Sequence, residues 1–85
     1  MEMARAVMSK TKYHKGNTKV YYDEKLNISD IWLHDNHIAD YYHATNVLAI
    51  NKYTLDRWPT RTTTSRLRAL GANVYIKQGK IKFGN

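Results

Sequence analysis

The chain contains no cysteine, one proline and four glycines among its 85 residues. Without cysteine there can be no disulfide bridges, thiolate metal sites or cysteine nucleophiles, and this composition fits a reducing compartment. Because proline and glycine are scarce, turns must be formed partly by asparagine and aspartate, which accept the required backbone angles. No apolar run approaches the roughly 20 residues that span a bilayer, and the first residues lack a signal-peptide pattern. We therefore expect a soluble intracellular protein.

Sequence signatures of catalysis are also missing. The chain has no glycine-rich phosphate loop, P-loop or nucleophile elbow. Asp30, Asp35 and Asp40 are evenly spaced, but general acid–base catalysis needs a desolvated pocket. A domain of this size has little volume for such a pocket. We therefore predict a non-enzymatic protein with no catalytic residues, no bound metal and no cofactor.

Charge is segregated along the chain, whose formal net charge is +7. Residues 61–85 carry six cations and no acid, and residues 1–22 carry five cations and one acid. Residues 23–60 are acidic overall, with six acids and three cations. This segregation favours one basic surface that meets nucleic acid or an acidic protein partner.

Short β-branched and aromatic segments separated by polar turns predict an antiparallel meander in the first 51 residues. A turn over residues 14–17 closes the first hairpin, and Asp35-Asn36 is a two-residue turn because both residues tolerate positive φ. Residues 43–46 form a further turn. The predicted strands are residues 4–13, 18–22, 28–34, 37–42 and 47–51.

The C-terminal third predicts one helix and one hairpin. Pro59 ends the sheet section, and a helix of about residues 63–70 follows, with a threonine N-cap and Gly71 as its C-terminal stop. Leu67 and Leu70, with Thr63 on the same side, form its buried stripe. The sequence thus predicts a single small α+β domain over residues 1–85. It has an antiparallel sheet of about five to six strands, with one short helix before a C-terminal hairpin.

The register of the last hairpin follows from its turn. Gln78-Gly79 at the turn pairs Lys77 with Lys80 and places all the apolar side chains on one face, which is expected to point inward. That face carries Val74, Ile76, Ile81 and Phe83. The opposite face carries Tyr75, Lys77, Lys80 and Lys82.

The basic C-terminal segment supplies the candidate nucleic-acid contacts, because lysines bind phosphates and an exposed tyrosine ring stacks on a base. Arg66 and Arg68 lie about 200° apart around the helix, so they cannot grip one phosphate. A structural role for Arg66 is at least as well supported as ligand binding. Lysines on edge strands also prevent edge-to-edge aggregation, which is the alternative explanation for them. The predicted nucleic-acid-binding residues are Arg61, Arg68, Tyr75, Lys77, Lys80 and Lys82.

Two weaker candidates come from the middle of the chain. If the protein binds another protein, aromatic side chains are the expected anchors, since interface hot spots favour aromatics. Those candidates are Trp32, Tyr41, Tyr42 and Tyr53. His34, His37 and His43 lie near two aspartates, but exposed turn and strand histidines explain them more simply than a zinc site does. The sequence does not decide between these two roles for the histidines.

One segment resembles a known family. The residues Trp58, Thr60, Thr62-Thr63 and Arg66-Leu67 match a pattern found in a family of small bacteriophage proteins. The upstream Leu33-His34-Asp35-Asn36-x-Ile38-Ala39 is similar to a turn of the same family, with Asp35 in place of its glycine. Arg68 stands where the family usually has asparagine. The resemblance covers roughly residues 31–70 and implies a phage gene product in the host bacterial cytoplasm; it implies no mechanism.

These observations lead to two functional hypotheses. The leading one is a small non-enzymatic phage accessory protein that binds nucleic acid, or a host nucleoprotein machine, through its basic face. The alternative is a protein-binding inhibitor of a host enzyme or defence complex, of the anti-CRISPR or host-takeover kind. A membrane partner is not expected, and pairing of exposed sheet edges as a homodimer is left open.

Overall fold

The computed structural model describes residues 2–57 and 60–84. This part of the chain forms an α+β fold with a five-stranded antiparallel sheet, a separate two-stranded sheet and short helices. The helices are α1 (Glu2–Met8), α2 (Lys52–Arg57) and α3 (Arg61–Ala69). The strands are β1 (Tyr13–Lys15), β2 (Thr18–Asp23), β3 (Ile28–Leu33), β4 (Asn36–Tyr42), β5 (Val47–Ile50), β6 (Val74–Lys77) and β7 (Lys80–Phe83).

The five-stranded sheet is the predicted meander, with its strands in the order β1-β2-β3-β4-β5. The β3–β4 turn lies at His34 and Asp35, which have positive φ of 51° and 61°. The prediction of Asp35-Asn36 at this turn is therefore wrong by one residue. A β-bulge then shifts the register between Ile31 and Trp32. As a result Ile38 and Ala39, which are consecutive in β4, are both buried.

The start of the chain is a helix rather than a strand. Residues 4–13 were expected to be extended, but α1 occupies Glu2–Met8 and only Tyr13 belongs to β1. Its buried residues Met3, Ala6 and Val7 follow helical spacing and form the face that packs on the sheet. This burial stabilises a helix of two turns that would be marginal alone.

Helices α1, α2 and α3 contribute to one hydrophobic core on a single face of the sheet. Val20, Ile31 and Leu33 supply the sheet side of this core, and Val7, Leu55 and Leu67 supply the helix side. The six-residue α2 was not predicted, and Leu55 is its buried residue. The Asn51 side chain accepts a hydrogen bond from the Thr54 backbone N–H at 3.2 Å at the start of α2.

Helix α3 has the predicted threonine N-cap, glycine stop and buried stripe, but it begins at Arg61, two residues before the expected start. The Thr60 side chain accepts a hydrogen bond from the Thr63 backbone N–H, and Gly71 follows the helix with φ of 95°. Thr63, Leu67 and Leu70 are buried as expected. The proposed sheet break at Trp58-Pro59 lies outside the described residues.

The hairpin β6–β7 has the predicted register, with Lys77 opposite Lys80 and Val74 opposite Phe83. It forms a sheet of its own and contacts α3 through β6 and α2 through β7. Val74 and Ile81 are buried, but Phe83 is exposed, so its expected burial is wrong. Instead the Lys52 ammonium lies 5.1 Å from the centre of the Phe83 ring.

Candidate nucleic-acid interface and an open sheet face

The solvent face of the β6–β7 hairpin is basic. Cross-strand pairing places Lys77 opposite Lys80 and Tyr75 opposite Lys82, and all four residues are exposed. We call these four residues the basic surface. Gln78 and Gly79 close the turn with φ of 54° and 74°, the angles of a turn with positive φ at both central residues. This turn fixes the register, and therefore the lysines share one side.

A cleft lies between α3 and β6, next to the basic surface. Its volume is about 530 Å³. Its lining residues are Arg61, Thr64, Ser65, Arg68, Tyr75 and Ile76. The four residues from α3 recur at the spacing of one helix face. Of the six residues predicted to bind nucleic acid, the fold thus brings three to this cleft and leaves the lysines beside Tyr75.

Arg68 is held in place by the edge of the hairpin. Its Nε donates a hydrogen bond of 2.7 Å to the Val74 carbonyl oxygen. In the ladder closed by the Gln78-Gly79 turn, the backbone groups of Val74 and Ile76 point away from β7, because pairs alternate. Arg68 therefore occupies part of the β6 edge, and its guanidinium has a fixed position in the cleft.

Arg66 lies on another side of α3 and has a structural contact. Its Nε donates a hydrogen bond of 3.1 Å to Oγ1 of Thr18, a buried residue of β2. The separation of Arg66 from Arg68 agrees with the expected angle around the helix. Arg66 therefore links α3 to the five-stranded sheet and is outside the cleft.

The lysines of the basic surface are not neutralised within the described residues. Ion pairs within the described residues include Lys15–Glu2, Lys19–Asp35 and His37–Asp40, and none of these involves a lysine of the hairpin. All three involve residues before position 41. The positive charge of Lys77, Lys80 and Lys82 is therefore available to an external anion.

The five-stranded sheet has a second solvent face of different chemistry. Cross-strand pairs put Lys19 beside Trp32, Tyr21 beside Asp30, and Asp30 beside Asp40. The core lies on the opposite face, where the described helices pack. We call this the open sheet face. It combines aromatic rings with carboxylates, whereas the basic surface combines a ring with amines.

At the centre of the open sheet face, Asp30 and Asp40 face each other across β3 and β4. The Asp40 carboxylate also lies 2.6 Å from Nε2 of His37, and the His37 ring stacks on Trp32 with centroids 4.9 Å apart. Burial raises the pKa of Asp30 to about 6, and the hydrogen bond to Asp40 and its charge act in the same direction. The charge of His37 acts in the opposite direction and lowers the pKa of Asp30.

Asp30, His37 and Asp40 are also residue types that ligate metals. One ligand atom from each can be chosen so that all three lie within 4.8 Å of one another. The histidines singled out in the sequence do not converge in the same way. His34 is an exposed turn residue, and Nε2 of His43 is hydrogen-bonded to the Ser29 hydroxyl at 2.8 Å. Burial lowers the pKa of His43, and the charge of Lys10 lowers it further.

The aromatic residues predicted as protein anchors do not form one patch. Trp32 and Tyr42 lie on the open sheet face, as the register requires. Tyr41 is on the other face of β4 and packs against the core. Tyr53 is on α2 and is 69% exposed, with its hydroxyl accepting a hydrogen bond of 2.9 Å from Arg57. The fold therefore divides this set between different sides of the molecule.

Comparison with known families decides the origin of the chain. A family model described as Kyanoviridae Gp96 protein matches residues 1–84. The chain belongs to the Kyanoviridae Gp96 family. The expectation of a bacteriophage protein is thereby confirmed. No curated protein and no solved structure matches the Gp96-family chain. No helix in the described part of the chain is long and apolar enough to cross a membrane.

Proposed function

We propose that this Gp96-family protein is a small non-enzymatic accessory protein that binds nucleic acid, or a nucleoprotein machine of the host, through its basic surface. It would act in the cytoplasm of the host bacterium. The observation that carries the proposal is the register of β6–β7, which aligns Lys77, Lys80 and Lys82 with an exposed tyrosine. The cleft with Arg61 and Arg68 adjoins this surface.

The physical basis is electrostatic. Cations that neutralise backbone phosphates release condensed counterions, which makes the affinity strongly dependent on salt. Lysines without an internal ion-pair partner keep their charge for such contacts, and an exposed ring adds sequence-tolerant stacking. We expect dissociation constants of about 1–100 µM near physiological salt, the range of non-specific complexes.

Fluorescence anisotropy with labelled single- and double-stranded DNA and RNA tests this function. Lys77, Lys80 and Lys82 are changed together to glutamine, and the matched control changes Lys12, Lys15 and Lys25, so that both variants lose three charges. The first variant should lose at least about tenfold in affinity, and the slope of log affinity against log salt should fall by about 2–3. The control should retain most of the affinity.

Two results would contradict this function. If the wild-type protein binds none of these nucleic acids at low salt, the basic surface has another role. If the control variant loses as much affinity as the hairpin variant, net charge rather than the basic surface explains the binding. Circular dichroism of both variants establishes that they are folded.

A second candidate function is inhibition of a host enzyme or defence complex by protein binding. It is favoured by one specific observation, the presence of Trp32 and Tyr42 on the open sheet face together with carboxylates. Large aromatic side chains are typical anchors of protein interfaces. If this function is correct, Trp32→Ala and Tyr42→Ala will reduce capture of a host partner more than the triple lysine variant does.

A further inference from the structure

The cleft between α3 and β6 combines three features that a nucleotide requires. Arg61 and Arg68 supply cationic donors, Ser65 supplies a hydroxyl, and Tyr75 supplies an aromatic face. None of the six lining residues is acidic. The cleft volume of about 530 Å³ lies in the range of about 300–1,000 Å³ that is common for small-molecule sites.

We propose that this cleft holds one nucleotide of a single-stranded nucleic acid, with its base on the Tyr75 ring and its phosphate between Arg61 and Arg68. This inference rests on the proposed function, since the same surface would bind the rest of the strand. It adds a preference for unpaired nucleic acid, which a basic surface alone does not provide.

The position of Tyr75 is the reason for this preference. The residue is 41% exposed and stands beside Lys82, its cross-strand neighbour. A base can stack on a side chain only when that face of the base is not covered by its neighbours. Bases within a duplex are covered on both faces, and therefore Tyr75 has a partner only in a single strand.

The position of Arg68 explains why the phosphate would bind in the cleft. Its bond to the Val74 carbonyl uses one of the five guanidinium donors and fixes the group at the β6 edge. A guanidinium that is already oriented loses less conformational freedom when it binds a phosphate. Arg61 belongs to the same helix face, and therefore both cations approach the cleft from the α3 side.

The test compares single-strand and duplex affinity in ring variants that preserve charge. Tyr75→Leu removes the ring, and Tyr75→Phe keeps it. Tyr21→Leu is the matched control, because Tyr21 is exposed to a similar extent, 43%, on the open sheet face. The probes are a labelled homopolymer single strand and a duplex of equal length, measured by anisotropy at the same salt concentration.

Tyr75→Leu should lose about tenfold in affinity for the single strand, as expected when a stacked base loses its partner. Its duplex affinity should stay within about twofold of the wild-type value. The slope of log affinity against log salt should not change, because no charge has been removed. Tyr75→Phe and Tyr21→Leu should both bind like wild type. Arg61→Gln should lower the single-strand salt slope by about 0.7.

The inference is overturned if Tyr75→Leu keeps its single-strand affinity, or if it loses single-strand and duplex affinity equally. In both cases salt-dependent binding through the lysines would persist, so that the proposed function would survive. If wild-type protein binds neither probe, the proposed function itself fails. Should Tyr75→Leu not fold, wild-type affinity for the single strand no greater than for the duplex overturns the inference.

Discussion

The two solvent-facing sheet surfaces of this protein treat charge in opposite ways. On the open sheet face, Asp30 and Asp40 are half-buried and have partners: Asp40 contacts His37, and burial beside Asp40 raises the pKa of Asp30 to about 6. On the basic surface, Lys77 and Lys80 are opposite each other and exposed. The carboxyl groups of the open sheet face thus interact with neighbouring groups inside the protein, whereas the basic surface exposes like charges to solvent.

This difference indicates which surface would be stabilised more by binding an external ligand. Like charges directly opposite each other across two strands oppose folding, and an anion bound between them removes that repulsion. Internal partners on the open sheet face provide the same relief without a ligand. The exposed like charges therefore favour the basic surface as the binding site of an anionic ligand.

Both surfaces depend on one core, and the largest effect should come from breaking it. Leu67 on α3 is fully buried in the cluster that includes Ile31 of the large sheet and Val74 of the hairpin. Leu67→Ala should lower the free energy of unfolding by about 3 kcal/mol, since the cavity cannot collapse completely. Urea denaturation followed by tryptophan fluorescence measures this loss.

The control for this core substitution is Val47→Ala, because Val47 is 51% exposed. It should change stability by less than about 0.5 kcal/mol. Hydrogen exchange adds a sharper measurement. If Leu67→Ala reduced amide protection in β6 and β7 but left β3 unchanged, the two sheets would have separate cores and would be independent units.

The next largest effect concerns the Asp30–Asp40 pair. Because the pKa of Asp30 is raised in the folded protein to about 6, its contribution favours folding at low pH. That contribution decreases as the pH rises from the unfolded pKa near 4 through the folded value. Asp30→Asn should therefore stabilise the protein at pH 8 by about 1 kcal/mol, a value reduced by solvent screening at a half-buried site.

The measurement for the aspartate pair is the difference in unfolding free energy between wild type and Asp30→Asn at several pH values. The difference should be largest above pH 7 and should shrink at pH 4, which lies below the folded-state pKa of about 6 for Asp30. If the difference is independent of pH, the pKa of Asp30 is not raised in the folded protein, and the contrast between the two surfaces fails at this site.

The parts of this fold that could be predicted from sequence have local causes. The β6–β7 register follows from one turn and strict alternation of apolar residues, and the structure confirms every pair. The caps of α3 likewise depend on neighbouring residues, Thr60 and Gly71.

The sequence of helix α1 also contains a helix signal, since Met3, Ala6 and Val7 are spaced as on a helix face and alanine, methionine and glutamate favour helices. The predicted strand over residues 4–13 therefore overlaps α1 and includes only Tyr13 of β1.

The Asp30–Asp40 pair had no comparable signal. An unbulged hairpin with its turn at Asp35-Asn36 would place Ile31 opposite Asp40, whereas the bulge and the earlier turn bring Asp30 there. A bulge adds one residue to a strand without changing the hydrophobic pattern in a recognisable way. Helix α2 is difficult to predict because it has only six residues, which include Tyr53 and Thr54, and its stability depends on packing of Leu55.

The smallest predicted effect separates ligand binding from edge protection. Lysines on a short hairpin also prevent edge-to-edge association, and loss of charge affects both roles. Lys80→Glu keeps a charge at the position and converts the Lys77–Lys80 contact from repulsive to attractive. We expect a gain of about 0.5 kcal/mol in folding stability at low salt, with no increase in association by light scattering.

If the lysines bind phosphate, this more stable variant should nevertheless lose affinity for nucleic acid in the anisotropy assay, and more than Lys25→Glu does. If the affinity is unchanged, Lys80 serves to protect the strand edge. A loss of affinity in a variant that is more stable requires a ligand on this side of the hairpin, because the glutamate then repels phosphate although it stabilises the fold.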